Sequence, residues 1–491
     1  MLGDALLDQF LTTPPARNIF RMGQYSPVSI RDQVVRATYL VDRLLATRQL
    51  TPSTRLLVIG AGAAGVTAAM HASKCGVSQV ELVESKPRAL SVQAGSRRQV
   101  CPTQYDWPAE HWGDEHWPLT EGPPRSFTAV SLSPPTTLRK RAAARWATSF
   151  GNLLTARPGI KTVFDTEVDT WRTTAANDFE VDFVAPTTPP AIGPRPVIGT
   201  TKADLIIIAT GFGDERTTIP LTTSSSSTFE GVKFWNDDKF EEFDFGMSGP
   251  DRRVLVSGSG DGALQDFCRL ITGMPTVAEI WKQITASKSN WWTIKLEAAW
   301  HWEDHARRAA QFAPHHLKAW QLLMRLHTRY TEIVNELVIS AEWANVVSRL
   351  DAYVIHSGPA GESRPLNSVW LAVMGEHFES CYPLNRVVVL VLLAYIRHKA
   401  AGHEPLLLKT ALKSTTSAHA GKCAQGCWGK SHEVLLAQNV VNGTKPSEIA
   451  NWKDTRPETY EGLVIRHGIQ PAVVNGTAPP IIFQNLPLHL P

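Results

Sequence analysis

Three glycines and an acid stand out first for the chemistry their spacing allows. Gly60, Gly62 and Gly65 follow one another as G-x-G-x-x-G, and Glu84 lies 24 residues beyond the first of them. A glycine at position 60 permits a tight turn. One at 62 lets a backbone approach a pyrophosphate, and one at 65 lets a helix pack closely on its strand. A carboxylate at the distance of Glu84 suits the 2′-hydroxyl of a ribose. The chemistry implied is dinucleotide binding, with Ala63 and Ala64 completing the turn. The alternative is a glycine-rich turn in some other α/β protein. The elements such a turn needs are present on both sides. Arg55–Ile59 is a short apolar run suited to a buried strand, and Val66–Lys74 is Ala-rich and helix-compatible, with Gly76 as a stop. Val80–Val83 is a second apolar run ending on Glu84. The helix start would offer free N–H groups and the positive end of its dipole to phosphate.

A second set of the same kind follows two hundred residues later. Arg253–Ser257 reads as a strand, Gly258, Gly260 and Ala263 have G-x-G-x-x-A spacing, Asp261 sits inside the turn, and Leu264–Ile271 continues as helix. Here the pattern departs from expectation, because no acid or arginine marks the end of a following strand. Val277–Trp281, which would place Lys282 at the ribose, and Ala352–His356 are the two candidates for that strand. A chain of 491 residues exceeds one ordinary core, so two or more domains are expected.

Between the two fingerprints the chain runs through a long irregular loop. It holds Arg97, Arg98, Cys101, Tyr105, Asp106, Trp107, His111, Trp112, His116 and Trp117. Long loops of this kind are frequent carriers of function, although its aromatics could equally pin a surface loop to its domain. Thr136–Ala156 is expected to be a basic amphipathic helix, with Arg139, Lys140, Arg141 and Arg145 on a solvated face. Two strand-like runs, Ile160–Arg172 and Asp178–Pro186, follow, and Lys202–Gly211 (KADLIIIATG) reads as a buried strand.

This order of motifs resembles the two-dinucleotide-binding-domain flavoproteins, a superfamily that includes the thioredoxin-reductase-like enzymes and the flavin monooxygenases. The resemblance implies an α/β fold, with a Rossmann-like FAD domain and a second Rossmann-like NAD(P)-type domain. It implies FAD at the first fingerprint, with Gly211 of the ATG strand close to the cofactor and a backbone group near Val168 meeting the adenine. It also implies NADPH or NADH at the second. The ATG strand precedes the second fingerprint, as in the thioredoxin-reductase-like branch. That branch also needs a redox cysteine pair beside the flavin, and none is found here: Cys75 and Cys268 each lie on a helix without a neighbouring cysteine. Cys423 and Cys427 form C-x₃-C near His419 and His432, which is not a standard zinc spacing. No metal is therefore expected.

The expected organisation is an N-terminal helical arm (1–50, with a helix over Ser29–Leu50), an FAD domain (51–220), a linker (221–250), a second domain (251–470) with a helical insertion (285–350), and a tail (471–491). Leu384–His398 reads as an apolar helix or a long buried strand. Tyr460–Gly468 would close the second domain, with Arg466, His467 and Gly468 in place of a second ATG and both side chains toward an inter-domain cleft.

Composition narrows the function classes. Hydrophobic residues make up 43% and charged residues 19%, with a net charge of +3, which gives no case for nucleic acid or membrane. The run Val387–Ile396 is about half of what a membrane helix needs. Six scattered cysteines and no basic n-region at the start fit a reducing, cytoplasmic setting, so the N-G-T sequons at Asn442 and Asn475 are chance matches. The expectation is an FAD-dependent oxidoreductase. Hydride would pass from NAD(P)H to FAD, and electrons from there to a small-molecule substrate or O₂. Tyr105, His111 and His467 are candidate proton carriers and Trp107 a candidate stacking group. The alternatives are an NADPH-dependent flavin monooxygenase, an amine or amino-acid oxidase with a vestigial second site, and a non-catalytic FAD-holding scaffold whose insertion binds a partner. Homo-oligomerisation is left open.

Overall fold

The computed structural model describes most of residues 7–467; the longer segments outside that description are 11–17, 23–29, 101–140, 187–194, 243–252, 300–316, 355–365, 416–431, 440–451 and 468–491. The chain divides into two units, Met1–Asp214 and Glu215–Ile469. Both are α/β, each around its own parallel sheet.

The first sheet holds β1 (Ile19–Arg21), β2 (Arg55–Ile59), β3 (Gln79–Val83), β4 (Ile160–Val163) and, later in the chain, Leu205–Ile208. Their spatial order is β1, Leu205–Ile208, β2, β3, β4, and every pairing is parallel. Parallel strands are covered on both faces and so read as continuous apolar runs. Leu205–Ile208 obeys this rule, with all four residues buried. Helix α1 (Ile30–Ala46) packs on α2 (Ala63–Lys74), the helix that follows the first glycine turn. Outermost, β5 (Glu167–Thr173), β6 (Phe179–Val184) and β7 (Val197–Ala203) form a three-stranded antiparallel sheet. Leu205–Ile208 is thus β8. The antiparallel layer packs on the parallel sheet through Phe179, Val181 and Phe183, which meet Ile59, Val83 and Ile206 in one cluster.

Ile160–Arg172 is therefore not one strand. Asp165 takes a positive φ of 50°, and the break there separates β4, which joins the parallel sheet, from β5 in the antiparallel one. The basic helix α3 begins at Ala143 and ends at Thr155, later than expected, because Arg141–Ala142 pairs with Gln99–Val100.

In the second unit the stretch expected to link domains begins with structure. β9 (Thr218–Leu221) and β10 (Ser224–Glu230) form a hairpin. β11 (Val254–Ser257) lies at the centre of the second parallel sheet. It is flanked by β12 (Val369–Ala372) and by Gly462–Ile465, and Leu406–Leu407 (β13) lies outside β12. β14 (Thr410–Thr415), β15 (His432–Asn439), β16 (Trp452–Asp454) and β17 (Glu458–Tyr460) extend the hairpin into a mostly antiparallel sheet. Gly462–Ile465 is β18. Leu255 of the parallel sheet shares a core with Ile219, Leu436 and Tyr460 of the other.

Five helices of this unit bear on the site. α4 (Asp261–Thr272) follows the second glycine turn and stops on Gly273, which is left-handed at φ 70°. Val277–Trp281, a candidate for the second strand, is helical instead, within α5 (Val277–Ile284). The Thr276 hydroxyl accepts from Glu279 N–H at 3.2 Å, and Val277, Ile280 and Ile284 form the buried stripe. Ala352–Val354, in the other candidate, ends a helix, α7 (Glu342–Val354), which follows α6 (Leu317–Val338). The strand beside β11 is β12, reached only after the helical insertion. Leu384–His398 is helical, within α8 (Pro383–Lys399), with Pro383 in its first turn. Among the described residues no helix is long and apolar enough to cross a membrane.

Candidate dinucleotide-binding turns

The first glycine turn is built from backbone. Gly60 N–H donates to Val83 O at 2.7 Å, and Ala209 N–H donates to Ile59 O at 2.7 Å, so both neighbouring strands are tied to the end of β2. Gly60 has φ +99°, and a Cβ there would lie 2.5 Å from Ala209 O. A Cβ on Gly65 would lie 1.8 Å from Gly60 O. These two glycines are required for the turn itself. Gly62 differs: it is the N-cap of α2, makes no side-chain cap, and a Cβ on it would meet nothing within 4 Å. Open space in front of unsatisfied helix N–H groups is what a pyrophosphate needs. Ala63 and Ala64 form the first turn of that helix.

Glu84 stands beside this turn. Its Oε2 accepts from Ala61 N–H at 2.7 Å and its Oε1 from Lys86 N–H at 2.9 Å. Thr166 N–H donates to Glu84 O at 3.0 Å, which brings the start of β5, and with it half-buried Val168, to the same end of the sheet. Val168 packs against the cluster that holds Ile59 and Val83. Gly211, at φ +87°, follows β8 and is exposed. The residues present thus fit the pyrophosphate and adenosine ribose of a dinucleotide.

The second turn repeats the device. Gly258 N–H donates to Ala372 O at 3.0 Å, and Arg466 N–H donates to Ser257 O at 2.8 Å. Gly258 has φ +145°, and a Cβ on it would lie 2.3 Å from Arg466 O. Arg466 therefore stands where Ala209 stands in the first unit. Gly260 is the N-cap of α4 without a side-chain cap, and Ala263 is fully buried. Asp261 is half-buried and bound within the unit: its Oδ1 accepts from Tyr382 N–H at 2.7 Å and from Asn385 Nδ2 at 2.6 Å, tying α4 to the start of α8. By register, Ile59 pairs with Val83 and Ser257 with Ala372, so the counterpart of Glu84 is Val373, which is buried. The second turn fits a pyrophosphate, but at the position of Glu84 it has an apolar residue in place of a carboxylate.

Arg466 turns into the second unit. Its Nε donates to Asp266 Oδ2 at 2.8 Å and its Nη1 to Val232 O, and the guanidinium lies over Phe234. Asp266 also holds Arg269, which in turn binds Asp238 and Glu241. The expectation that Arg466 faces a cleft is replaced by this buried network. His467 Nε2 lies 2.8 Å from Ser257 Oγ, and burial, then the charge of Arg216, hold its imidazole below the ordinary value. It is a neutral ring fastened to the end of β11.

Cys75 is exposed and free of any disulfide, and a histidine stands beside it. Its Sγ lies 3.9 Å from Nε2 of His71, whose ring bonds Asp42 Oδ1 at 2.6 Å, and the three donor atoms lie within 4.8 Å of one another. Burial alone would lower the His71 pKa; the Asp42 carboxylate more than reverses this and lifts it to about 9. The cluster acts as an ion pair between α1 and α2. Cys268 is buried on α4, and burial raises its thiol far above the reactive range. Tyr105, Trp107, His111, Cys423, Cys427 and His419 lie outside the described residues.

No protein-family model matches the chain, and no curated protein matches it. Among solved structures, thioredoxin reductase from Lactococcus lactis is 12% identical, covering 86% of this chain and 79% of its own, at a TM-score of 0.37. Ornithine N-hydroxylase from Kutzneria sp. 744 is 11% identical, covering 85% and 81%, at 0.38. OTEMO in complex with FAD and NADP is 12% identical, covering 86% and 72%, at 0.39. Likeness at this level carries no inference.

Proposed function

We propose that the protein is an FAD-dependent oxidoreductase, with FAD on the first unit and a nicotinamide dinucleotide on the second. The observation that carries this reading is one backbone device built twice. In each unit a positive-φ glycine follows the central strand, donates to the neighbouring strand, and is closed on its other side by a third strand whose carbonyl forbids a side chain. FAD suits the first unit because its turn has the acid for a ribose and carries the antiparallel layer that brings Val168 to the same end. Bound flavin would supply the redox step, taking up hydride and passing electrons to a small molecule or to O₂. The chain's own part is to hold the pyrophosphate at the start of α2 and the ribose at Glu84.

Val373 favours one alternative. An apolar residue at the ribose position of the second turn supports an oxidase that takes electrons from its organic substrate, with the second turn keeping its fold for structural reasons. A visible spectrum of the purified protein, followed by anaerobic titration with NADH and with NADPH, separates the readings. Flavin bands bleached by either nucleotide support the main proposal. Bands that ignore both and bleach with an amine support the oxidase. Bands that respond to neither support the scaffold, and the absence of flavin after reconstitution with FAD removes all of them.

A further inference from the structure

The second unit buries a cation that meets no counter-charge among the described residues. Arg386, in the first turn of α8, is 0% exposed and is the largest of the fully buried side chains. Its Nη1 donates to Phe378 O at 2.7 Å, but among the described residues Nε and Nη2 have no hydrogen-bond partner and no carboxylate reaches the group. Burying a guanidinium in this state is costly, because neither water nor an anion replaces its lost hydration. Its position adds to the cost, since the start of a helix is the positive end of the dipole.

Its surroundings are basic as well. His327, on α6, has a buried Nδ1 without a partner, and its ring centre lies 5.9 Å from that of His377. Burial and then the charge of Arg386 hold both imidazoles below their ordinary values. Each group resists further positive charge, and together they favour a negative one. They also sit where a ligand is expected in a parallel sheet: His377 and Phe378 lie on the segment that leaves the carboxyl end of β12 for α8.

The free edge of Arg386 defines the shape of the missing group. Nε and Nη2 lie side by side and can grip two oxygens of one planar or tetrahedral oxyanion. This chain shows the same grip at Arg397, whose Nε and Nη2 hold the two carboxylate oxygens of Glu404 at 3.0 and 2.8 Å. We propose that Arg386, with His327 and His377 beside it, forms a binding site for a small oxyanion group, a carboxylate or a phosphate, at the carboxyl end of the second sheet. The site stands apart from the redox reading, because a buried cation needs an anion whatever the flavin does.

The test is thermal unfolding of the full chain in phosphate, acetate and chloride at matched ionic strength. Phosphate or acetate is expected to raise Tm of the second unit by about 5 °C at saturation over chloride. Whichever of the two is effective at the lower concentration names the group. In Arg386→Met the response disappears, while Tm in chloride stays level or rises, since an unpaired charge has been removed. Arg386→Lys keeps the charge but not the two-pronged edge, and is expected to need at least tenfold more anion. If Arg386→Met does not fold, the wild-type and Arg386→Lys curves decide the matter. Equal Tm in all three salts, or a response that Arg386→Lys leaves unchanged, overturns the proposal.

Discussion

The carboxylate of Asp261 accepts a hydrogen bond from the backbone N–H of Tyr382, 121 residues away, at 2.7 Å. The first residue of α4 therefore caps the start of α8, and the same oxygen holds Asn385. Asp261→Ala is expected to destabilise the second unit by about 1–2 kcal/mol, the usual worth of a helix cap. Urea unfolding checks this. Asp261→Asn keeps one acceptor and should lose less. A loss near zero in Asp261→Ala would mean that the cap is not formed.

The glycines of the first turn divide into two kinds, and the division is measurable. Gly65→Ala places a methyl 1.8 Å from Gly60 O, so the first unit should lose most of its stability, about 3 kcal/mol or more. Gly62→Ala meets no protein atom within 4 Å, so melting of the free protein should change little. Flavin retention should nevertheless collapse, because the methyl enters the space for the pyrophosphate. Circular dichroism and the ratio of flavin to protein absorbance read the two effects separately. Full flavin occupancy in Gly62→Ala would mean that the turn does not face the cofactor.

Arg269 is buried to 4% exposure and binds Asp238, Glu241 and Asp266. Truncating it to Ala leaves carboxylates buried beside a cavity, at an expected cost of about 3–5 kcal/mol. Asp266 keeps Arg466, which should hold the loss to the lower part of that range. Arg269→Met restores volume without charge and should do no better, because the carboxylates remain. Denaturant midpoints of the two variants make the comparison.

Acid should weaken the second unit before carboxylates titrate. Burial, then the charges of Arg386 and His377, push the His327 pKa down to about 3. The unfolded chain holds that proton near the usual value of about 6.5, so between these limits it binds more protons than the folded one. Stability is complete above the upper value and declines as pH falls through the window. From pH 7 to pH 5 the decline from this residue is about 2 kcal/mol. Chloride-buffered urea titrations at the two pH values measure it, and His327→Gln should flatten the difference.

Local signals made the two turns and the closing strand legible in the sequence. Spacing alone placed Gly60, Gly62, Gly65 and Glu84 beside one another, and the run before Arg466 was recognisable as the strand that closes the second domain. What escaped is set by distant contacts. β12 is a four-residue run reached only after the helical insertion, so nothing local marks it as the neighbour of β11. The helical nature of Val277–Trp281 was legible, since Thr276 and Glu279 have capping-box spacing, but a strand was sought at that distance from the glycines. Arg386 carries no signal at all: a burial without a partner exists only once α6, α8 and the segment after β12 have come together.

The three residues Ile19–Arg21 have a consequence for anyone dividing this chain. They precede the glycine turn by some forty positions, yet they pair with Ile206–Ile208 along the edge of that strand, and Met22 N–H donates to Ile208 O at 2.8 Å. A fragment trimmed to begin at Arg55 would keep every nucleotide-binding signature while baring a wholly apolar strand along its hydrogen-bonding edge. Such a fragment is a template for intermolecular pairing, and aggregation rather than loss of affinity is how it would fail.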